Sequence, residues 1–215
     1  MKIAKGGLSW IGAAIAAFLF FSILAVFTAD SLQKLFVFLS VLSGLVSILF
    51  LVFFRDPQRT IGNGIVAVAD GIIRDVSEIK DAEIGDAWFI STFMNIYHVH
   101  VNRMPVDGII KKVEHHSGSH LPAFTKESER NERVTLLIET QFGLVKIVLI
   151  AGTLARRIVP YVQQGEKIRK GEKISLIRLG SRVDVYLPKK MKLTVHVTKK
   201  DRVKAGGSIL AASNV

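Results

Sequence analysis

One short segment of the sequence holds the residue types that a chain needs to cut itself. Residues 179–188 read LGSRVDVYLP, so a glycine carbonyl is followed directly by a serine hydroxyl. Gly180 has no side chain and leaves its carbonyl accessible, and Ser181 is then an internal nucleophile. Attack of the hydroxyl would turn the amide into an ester, and elimination across the serine would cleave the chain. A plain turn before a strand is the ordinary interpretation of a Gly-Ser step, and the residue types leave both open.

Two pairs of titratable residues lie in other strand-like segments. Asp70 and Asp107 each precede a glycine in segments that echo one another, VADGIIRDV and PVDGIIKKV. An aspartate before a glycine ordinarily forms a turn. His98 and His100 are spaced to share one face of a strand, which fits either a metal pair or ordinary half-buried histidines.

Metal and thiol chemistry find little support in the sequence. There is no cysteine, which excludes disulfides, thiolate nucleophiles and cysteine-based zinc sites. His115, His116 and His120 are closely spaced, but no carboxylate lies at ligand spacing and Gly, Ser and Pro surround them. A flexible loop is the better interpretation, and we expect no metal site.

Two uncharged apolar runs dominate the N-terminal part. Residues 8–27 and 35–54 each match the roughly 20 residues that cross about 30 Å of hydrocarbon as a helix. The connector, residues 28–34, leaves room only for a turn, so the pattern predicts a transmembrane hairpin. Basic residues precede the first run and follow the second, which predicts that both ends and the following domain lie in the cytoplasm. The alternatives are a cleaved signal peptide and a hairpin that lies on the membrane surface.

The composition changes abruptly after Pro57. Short alternating segments punctuated by glycine follow, which is typical of short strands and tight turns. We expect a membrane-anchoring hairpin over 1–57 and a compact, mostly β (α+β) domain over 58–215. A second internal repeat consists of VQQGEKI (162–168) and VTKKDRV (197–203). It resembles the hairpins of lipoyl- and biotinyl-type barrel-sandwich domains. Residues 87–95 are ambiguous between helix and strand.

The charge balance predicts an anionic partner. Lys and Arg number 29 against 18 Asp and Glu, a formal net charge of +11, and most of the excess lies beyond the hairpin. Such a domain beside the inner leaflet faces anionic headgroups, which attract it by about 1 kcal/mol per nearby Lys or Arg. Nucleic acid is the competing partner, but no RNA-binding motif, zinc finger or long basic helix is present. We therefore expect an anionic membrane surface and no nucleic acid.

Several motifs, taken in order, resemble one enzyme family. They are ADG (69–71), YHVHVNRMP (97–105), NERV (131–134), the segment 143–158 and LGSRVDVYLP (179–188). Together they resemble the short form of the phosphatidylserine decarboxylases, although each motif alone would be weak. The resemblance covers most of the domain that follows the hairpin.

That resemblance implies a reaction. The chain would cleave itself between Gly180 and Ser181, and fragments 1–180 and 181–215 would stay together as a heterodimer. Ser181 would become a pyruvoyl group that forms a Schiff base with the amine of phosphatidylserine and withdraws electrons as carbon dioxide leaves. The expected enzyme is a phosphatidylserine decarboxylase of the cell membrane that releases phosphatidylethanolamine.

The resemblance also implies roles for the titratable residues. Asp70 matches the aspartate that orients a histidine base toward the processing serine, and Asp107 is its rival within this chain. Aligned on the following Met-Pro, His100 matches one of two histidines of longer family members, whereas the second falls on Arg103. Both His98 and His100 stay open as the proton-handling residue, and we favour His100.

Lipid contacts are expected near a loop that lies beside the substrate in the family. The residues expected to contact the lipid are His98, His116, Leu121 and Phe124. A carboxylate of the headgroup needs a cationic partner, and arginine can grip it with two hydrogen bonds. The candidate arginines, each of which could equally be solvated surface, are Arg103, Arg133 and Arg182.

Two interpretations without catalysis compete with this one. A lipoyl- or biotinyl-like carrier would use the lysines of residues 189–192, KKMK, but the small and acidic residues that usually approach a modified lysine are missing. A membrane-anchored adaptor would explain the fold and leave the segment around Ser181 without a purpose.

Overall fold

The computed structural model describes residues 2–119, 130–152, 157–177, 181–191 and 193–213. Contacts divide the chain into two compact units, Met1–Gln58 and Arg59–Val215. The first unit is mainly helical, and the second is built from strands.

The first unit is a helical hairpin closed by a pair of short strands. Helix α1 spans Leu8–Phe27 and helix α2 spans Asp30–Phe53. Strands β1 (Lys2–Ile3) and β2 (Arg55–Asp56) pair antiparallel and bring the ends of the unit together. Both helices are long and apolar enough to cross a membrane.

Helix α2 begins earlier than the sequence predicted. The connector expected over residues 28–34 shrinks to Thr28 and Ala29, and Asp30 is already helical. A carboxylate in the first turn stabilises this start because it faces the positive end of the helix dipole. The Thr28 hydroxyl donates to the Leu24 carbonyl at 2.8 Å and closes the end of α1.

Serine hydroxyls inside the hairpin find partners within it. The Oγ atoms of Ser22 and Ser40 lie 2.7 Å apart across the two helices. Ser43 and Ser47 each donate to a carbonyl one turn earlier. Because an unsatisfied polar group in hydrocarbon is costly, these bonds suit a hairpin that crosses a bilayer.

The second unit is mostly β, and that prediction is confirmed. The ambiguous residues 87–95 lie almost entirely in a strand. The strands are β3 (Ile65–Val66), β4 (Gly71–Asp81), β5 (Gly85–Met94), β6 (Val101–Arg103), β7 (Gly108–His116), β8 (Arg133–Thr140), β9 (Gly143–Ala151), β10 (Ile158–Pro160), β11 (Lys167–Ile168), β12 (Lys173–Ile177), β13 (Ser181–Pro188), β14 (Leu193–Val195), β15 (Arg202–Val203) and β16 (Ile209–Ser213).

Antiparallel pairing arranges these strands in one large sheet and two small ones among the described residues. The large sheet has eight strands in the order β11-β7-β8-β9-β13-β5-β4-β15 and curls into a half-barrel. The small sheets have the orders β10-β12-β6 and β14-β16-β3. Strand β13 therefore lies inside the large sheet, between β9 and β5.

Alternating side chains give the large sheet an apolar inner face and a polar outer face. On β13, Val183 and Val185 belong to the core, whereas Arg182 and Asp184 face the other way. Each fully buried aliphatic side chain of the inner face contributes about 1.5–3 kcal/mol. Neighbouring strands supply Ile90, Met94, Val134, Leu136, Ile138, Ile147 and Leu149 to the same core.

The echoing sequence segments fold in the same way. Strand β4 pairs with β15 so that Gly71 is opposite Val203, and β7 pairs with β11 so that Gly108 is opposite Ile168. At both glycines an added Cβ would overlap a backbone oxygen of the neighbouring strand, so a side chain is not tolerated there. The structure thus contains an internal repeat in which the two Asp-Gly steps occupy equivalent positions.

The outer face holds an ion pair that is largely shielded from solvent. Lys146 donates to the Asp81 carboxylate and lies 3.4 Å from Glu83, and the Lys146 and Asp81 side chains are 11% and 12% exposed. Burial by itself would raise the pKa of Asp81. The hydrogen bond from Lys146 and those from the backbone N–H groups of Glu83 and Ile84 outweigh it, so the pKa lies below its ordinary value.

We expect Asp81→Asn to reduce the free energy of unfolding by about 1–2 kcal/mol at pH 7, because Lys146 loses its charged partner. A lowered folded-state pKa means that the wild-type contribution is complete above the unfolded value and is lost as pH falls through the folded one. The difference between the two proteins should therefore shrink progressively below about pH 4. Denaturant titrations over this pH range measure it.

The matched control is Asp75→Asn, which removes the same charge from an exposed position on β4. It should leave the unfolding curve close to wild type. A loss in Asp81→Asn that stays the same at pH 7 and pH 3 would contradict the ionic role of Asp81.

Candidate functional site

Ser181 is the first residue of β13 and is completely buried. Its exposed fraction is 0%, and its hydroxyl donates to the sulfur of Met94 at 3.2 Å. The side chain points to the inner face, in step with Val183. Gly180, the predicted partner in cleavage, lies outside the described residues.

The start of β13 belongs to a row of strand ends at one edge of the large sheet. Ser181 is opposite Met94 at the end of β5 and opposite Ala151 at the end of β9. Asp70 immediately precedes β4, and Glu132 immediately precedes β8 and accepts the backbone hydrogen bond of Ala151 at 2.9 Å. Antiparallel pairing therefore places a carboxylate residue on each side of the serine.

His100 lies beside the segment that leads to the serine. It is 0% exposed, and its Nδ1 is 2.9 Å from the carbonyl oxygen of His98. Its own carbonyl accepts a hydrogen bond from the backbone of Ile177 at 3.2 Å. This bond links His100 to Ile177, the last residue of β12.

His98 occupies a different environment. It is partly exposed, and its Nδ1 accepts a hydrogen bond from the backbone of Asn95 at 2.9 Å. Its ring also packs against Tyr97 at 4.7 Å between centroids. These contacts tie His98 to a turn, so the two histidines that the sequence left open differ in burial and in partners.

Asp70 is buried and binds Arg59. Only 7% of the residue is exposed, and one carboxylate oxygen lies 2.6 Å from the Arg59 guanidinium. The other oxygen accepts the backbone N–H of Ala205 at 2.8 Å. Neither of these partners is a histidine, so the carboxylate contacts differ from a closed Ser-His-Asp chain.

A backbone hydrogen bond links the segments that contain Asp70 and His100. Arg103, which follows His100 in the chain, donates its N–H to the carbonyl of Val68, which precedes Asp70, at 2.8 Å.

Asp107 is the repeat-related counterpart of Asp70 and is exposed. Its carboxylate accepts the backbone N–H of Lys170 at 2.7 Å, which is the contact that Ala205 makes with Asp70. Both aspartates therefore hold a turn, as their ordinary interpretation predicted. The guanidinium of Arg59 and the burial distinguish Asp70.

Asn131 and Glu132 are site residues to which the sequence analysis gave no role. Asn131 is 0% exposed, donates to the Ala151 carbonyl at 2.8 Å and accepts from the Ser119 hydroxyl at 3.1 Å. Ala151 is the residue opposite Ser181, so Asn131 fixes the strand end beside the serine. A polar pair just before an alternating apolar strand was the available signal.

The predicted arginines and lipid contacts are dispersed. Arg103 donates to the Gly171 carbonyl at 3.0 Å inside the protein. Arg133, Arg182 and His116 line a cavity of about 500 Å³ on the outer face, opposite to Ser181, whereas His98 does not line it. Leu121 and Phe124 lie outside the described residues. Among the described residues, no group of three or more His, Asp or Glu could hold a metal ion.

This geometry describes a mostly β protein whose buried serine starts an internal strand, with carboxylate residues at the starts of the strands two positions away on either side. Comparison with known proteins then gives the family. The model of the phosphatidylserine decarboxylase family matches residues 46–211. The chain belongs to the phosphatidylserine decarboxylase family. The recognition of that family from the sequence, and with it the prediction of a decarboxylase-family enzyme, is confirmed.

Individual relatives agree with the family model. The phosphatidylserine decarboxylase proenzyme of Streptomyces coelicolor is 47% identical over 69% of this chain and 66% of the relative. That of Thermobifida fusca is 48% identical over 70% of this chain and 68% of the relative. A protein of Methanococcoides burtonii, named for an archaetidylserine decarboxylase proenzyme, is 38% identical over 97% and 95%. The chain thus spans about two thirds of the Streptomyces relative and nearly all of the Methanococcoides one.

Proposed function

We propose that this chain cleaves itself between Gly180 and Ser181 and then decarboxylates phosphatidylserine to phosphatidylethanolamine and carbon dioxide. The observation that carries the proposal is the Ser181 hydroxyl, fully buried at the first residue of an internal strand. The relatives named as proenzymes support a processing step. Relatives are named for phosphatidylserine or archaetidylserine, and a serine lipid is the class common to both names.

In the first stage the Ser181 hydroxyl attacks the carbonyl carbon of Gly180, and the peptide bond becomes an ester. Loss of the Ser181 α-proton then expels the Gly180 carboxylate, which cleaves the chain and leaves dehydroalanine at residue 181; one water hydrolyses it to a keto group and releases ammonia. The buried setting favours the elimination, because water would otherwise hydrolyse the ester before the elimination takes place. The attacking atom starts next to the apolar Met94 sulfur.

His100 is the base that we assign to this stage. Its Nδ1 is engaged with the carbonyl of His98, so Nε2 is the nitrogen that receives the serine proton. We assign Asp70 the role of orienting this ring, and the support is that the segment before Asp70 is hydrogen-bonded to Arg103, shortly after His100. The ion pair with Arg59 stabilises the Asp70 carboxylate in the protein interior.

The residues around Ser181 fit a pyruvoyl group. The position is buried, and its two cross-strand partners, Met94 and Ala151, are both apolar. When present there, the group supplies a sink for the electrons that are released as carbon dioxide leaves. We assign to His100 Nε2 the return of a proton to the carbon that loses the carboxylate, and the support is the hydrogen bond between its backbone carbonyl and Ile177 at the end of β12.

The two fragments should remain a heterodimer because the cut falls at the start of β13, a strand that is hydrogen-bonded on both sides. Strand β13 begins the 181–215 fragment and pairs on both sides with strands of the 1–180 fragment, β5 and β9. Strands β15 and β16 of the short fragment also pair with β4 and β3. Each strand pair carries a ladder of backbone hydrogen bonds that dissociation would break.

The internal repeat supports a finer description of the fold. We assign the catalytic domain, residues 58–215, to the barrel-sandwich class that includes lipoyl- and biotinyl-type domains. The support is that β4 with β15 and β7 with β11 repeat one long-range antiparallel pairing with equivalent turn contacts. A carrier function is not favoured, because Lys189 pairs with Glu78 and stacks over Trp88 on the sheet surface.

The hairpin gives the enzyme its place at the membrane. We propose that residues 1–57 anchor the chain, that the catalytic domain faces the cytoplasm and that its positive charge attracts the anionic substrate. Conversion of phosphatidylserine to a zwitterion weakens that attraction, which favours product release. The apolar helices and the flanking basic residues support this orientation.

Purified wild-type protein should contain two fragments, residues 1–180 and 181–215, and should decarboxylate phosphatidylserine. Ser181→Ala should give one intact chain without activity, because the nucleophilic oxygen is gone. The matched control is Ser91→Ala, a buried serine on the adjacent strand, which should cleave normally. Intact-mass spectrometry distinguishes these cases, and a wild-type chain that stays whole while turning over lipid would refute self-cleavage.

The bases are tested by the rate of cleavage after synthesis. His100→Ala and Asp70→Asn should slow it by about a hundredfold or more, the usual contribution of a positioned acid or base. The controls are His98→Ala, the partly exposed histidine two residues away, and Asp107→Asn, the repeat-related aspartate; both should cleave at nearly the wild-type rate. Time-resolved gels of the fragments measure this, with circular dichroism to show that each variant is folded. Normal cleavage in either of the first two variants would remove its residue from this role.

Orientation can be read with single cysteines because the chain has none of its own. A membrane-impermeant maleimide added to intact cells should label Ala29→Cys in the connector between the helices. The same reagent should label Lys199→Cys, on the surface of the second unit, only after lysis. Labelling of Lys199→Cys in intact cells would place the catalytic domain outside and contradict the proposal.

A further inference from the structure

A second cavity lies on the same side of the large sheet as Ser181. It has a volume of about 370 Å³, and Val113, Val134 and Ile158 form an apolar part of its wall. Val134 and Ile158 belong to the core that the inner face of the sheet builds. The polar part of the wall consists of His115, Glu132 and Arg157.

This cavity is connected to the serine through short backbone steps. The carboxylate of Glu132 accepts the backbone N–H of Ile158 at 3.3 Å, and its carbonyl accepts that of Ala151, the residue opposite Ser181. Ile158 in turn is opposite Ile177, whose N–H binds the carbonyl of His100. Two residues of the cavity wall, Glu132 and Ile158, are therefore each linked through one strand neighbour to Ser181 or to His100.

Arg157 differs from the arginines that the sequence singled out. Arg103 is committed to the Gly171 carbonyl, while Arg133 and Arg182 line the opposite face of the sheet. Arg157 is exposed and lines the cavity on the serine's side. A basic side chain beside an apolar wall suits the junction of a phospholipid, where a phosphodiester meets the glycerol and its chains.

We propose that Arg157 binds the phosphodiester of the serine lipid and so sets how far the headgroup reaches toward Ser181. This inference rests on the proposed decarboxylation of phosphatidylserine. Arginine presents a planar fork of N–H donors that matches two phosphate oxygens, which a lysine cannot reproduce.

The dimensions agree with this assignment. Glu132 lies two strands away from Ser181, about 10 Å at the usual spacing of strands, and Arg157 is next to the residue that binds its carboxylate. In a serine headgroup four bonds separate the amine nitrogen from the phosphorus, an extended length of about 5 Å. The Arg157 side chain can cover the rest of the gap.

His115 borders the same cavity and is held in place. Its Nε2 donates to Oε1 of the Glu132 carboxylate at 3.1 Å, and the same oxygen accepts the backbone N–H of Ile158 at 3.3 Å. These two hydrogen bonds fix the orientation of the acidic side chain that lines the cavity together with Arg157.

The test compares the processed full-length wild-type enzyme with three variants: Arg157→Gln, Arg157→Lys and Arg169→Gln. The last is the matched control, because Arg169 is an exposed arginine that does not line the cavity. Monomeric short-chain phosphatidylserine gives KM and kcat without a membrane surface. Short-chain phosphatidylglycerol has the phosphodiester without amine or carboxylate, and its affinity is measured by calorimetry. Free serine, which has no phosphate, serves as the other ligand.

We expect Arg157→Gln to raise KM and to weaken phosphatidylglycerol binding by about tenfold or more, with self-cleavage and kcat nearly unchanged, since one charged hydrogen-bond pair is lost. Arg157→Lys should recover part of the affinity, and Arg169→Gln should match wild type. Binding of free serine should be insensitive to all three variants.

Three outcomes would overturn the inference. They are an unchanged KM and phosphatidylglycerol affinity in Arg157→Gln, an equal loss in Arg169→Gln, and failure of Arg157→Gln to cleave itself. A change confined to free serine would point to the headgroup carboxylate and would also overturn it. A wild-type enzyme without decarboxylase activity would instead refute the proposed function.

Discussion

The double hydrogen-bond ladder of β13 is the constraint on which the account depends. Pairing with β9 on one side and β5 on the other fixes Ser181 opposite Ala151 and Met94 and buries its hydroxyl. The same pairing would keep a new chain end at residue 181 within the fold. At a serine in an exposed loop, water would compete with the cleavage reaction. The same ladder therefore supports both the cleavage at Ser181 and the retention of the cleaved fragment.

The internal repeat explains how one copy of a turn acquires a further role. Asp70 and Asp107 both accept the backbone N–H of a repeat-related turn, so the carboxylate is first a structural feature. Of these two aspartates, only Asp70 also binds Arg59 and lies in the protein interior. The repeat thus forms the same turn twice, and burial and the Arg59 partner are what favour Asp70 over Asp107 for the proposed role.

The sequence was sufficient for the parts that depend on local pattern. Apolar run length predicted the helices, and alternation with glycine turns predicted a mostly β domain, because both signals lie in consecutive residues. The start of α2 was missed because Asp30 suits a helix N-terminus as well as a loop. Other features depend on how distant segments pair, and a single sequence does not contain that register. They are the sheet face on which Arg133 and Arg182 lie, the ion pair of Asp70 with Arg59, and the contact of Asn131 with Ala151.

The most direct test is the chemical identity of residue 181 in an active preparation. The account predicts a C-terminal fragment that begins at residue 181 and is lighter, by the mass of ammonia, than the same fragment with an N-terminal serine. Borohydride should then add two hydrogens to that terminus and abolish activity. An active enzyme whose fragment begins with an unmodified serine, or which has no such fragment, would contradict the central claim.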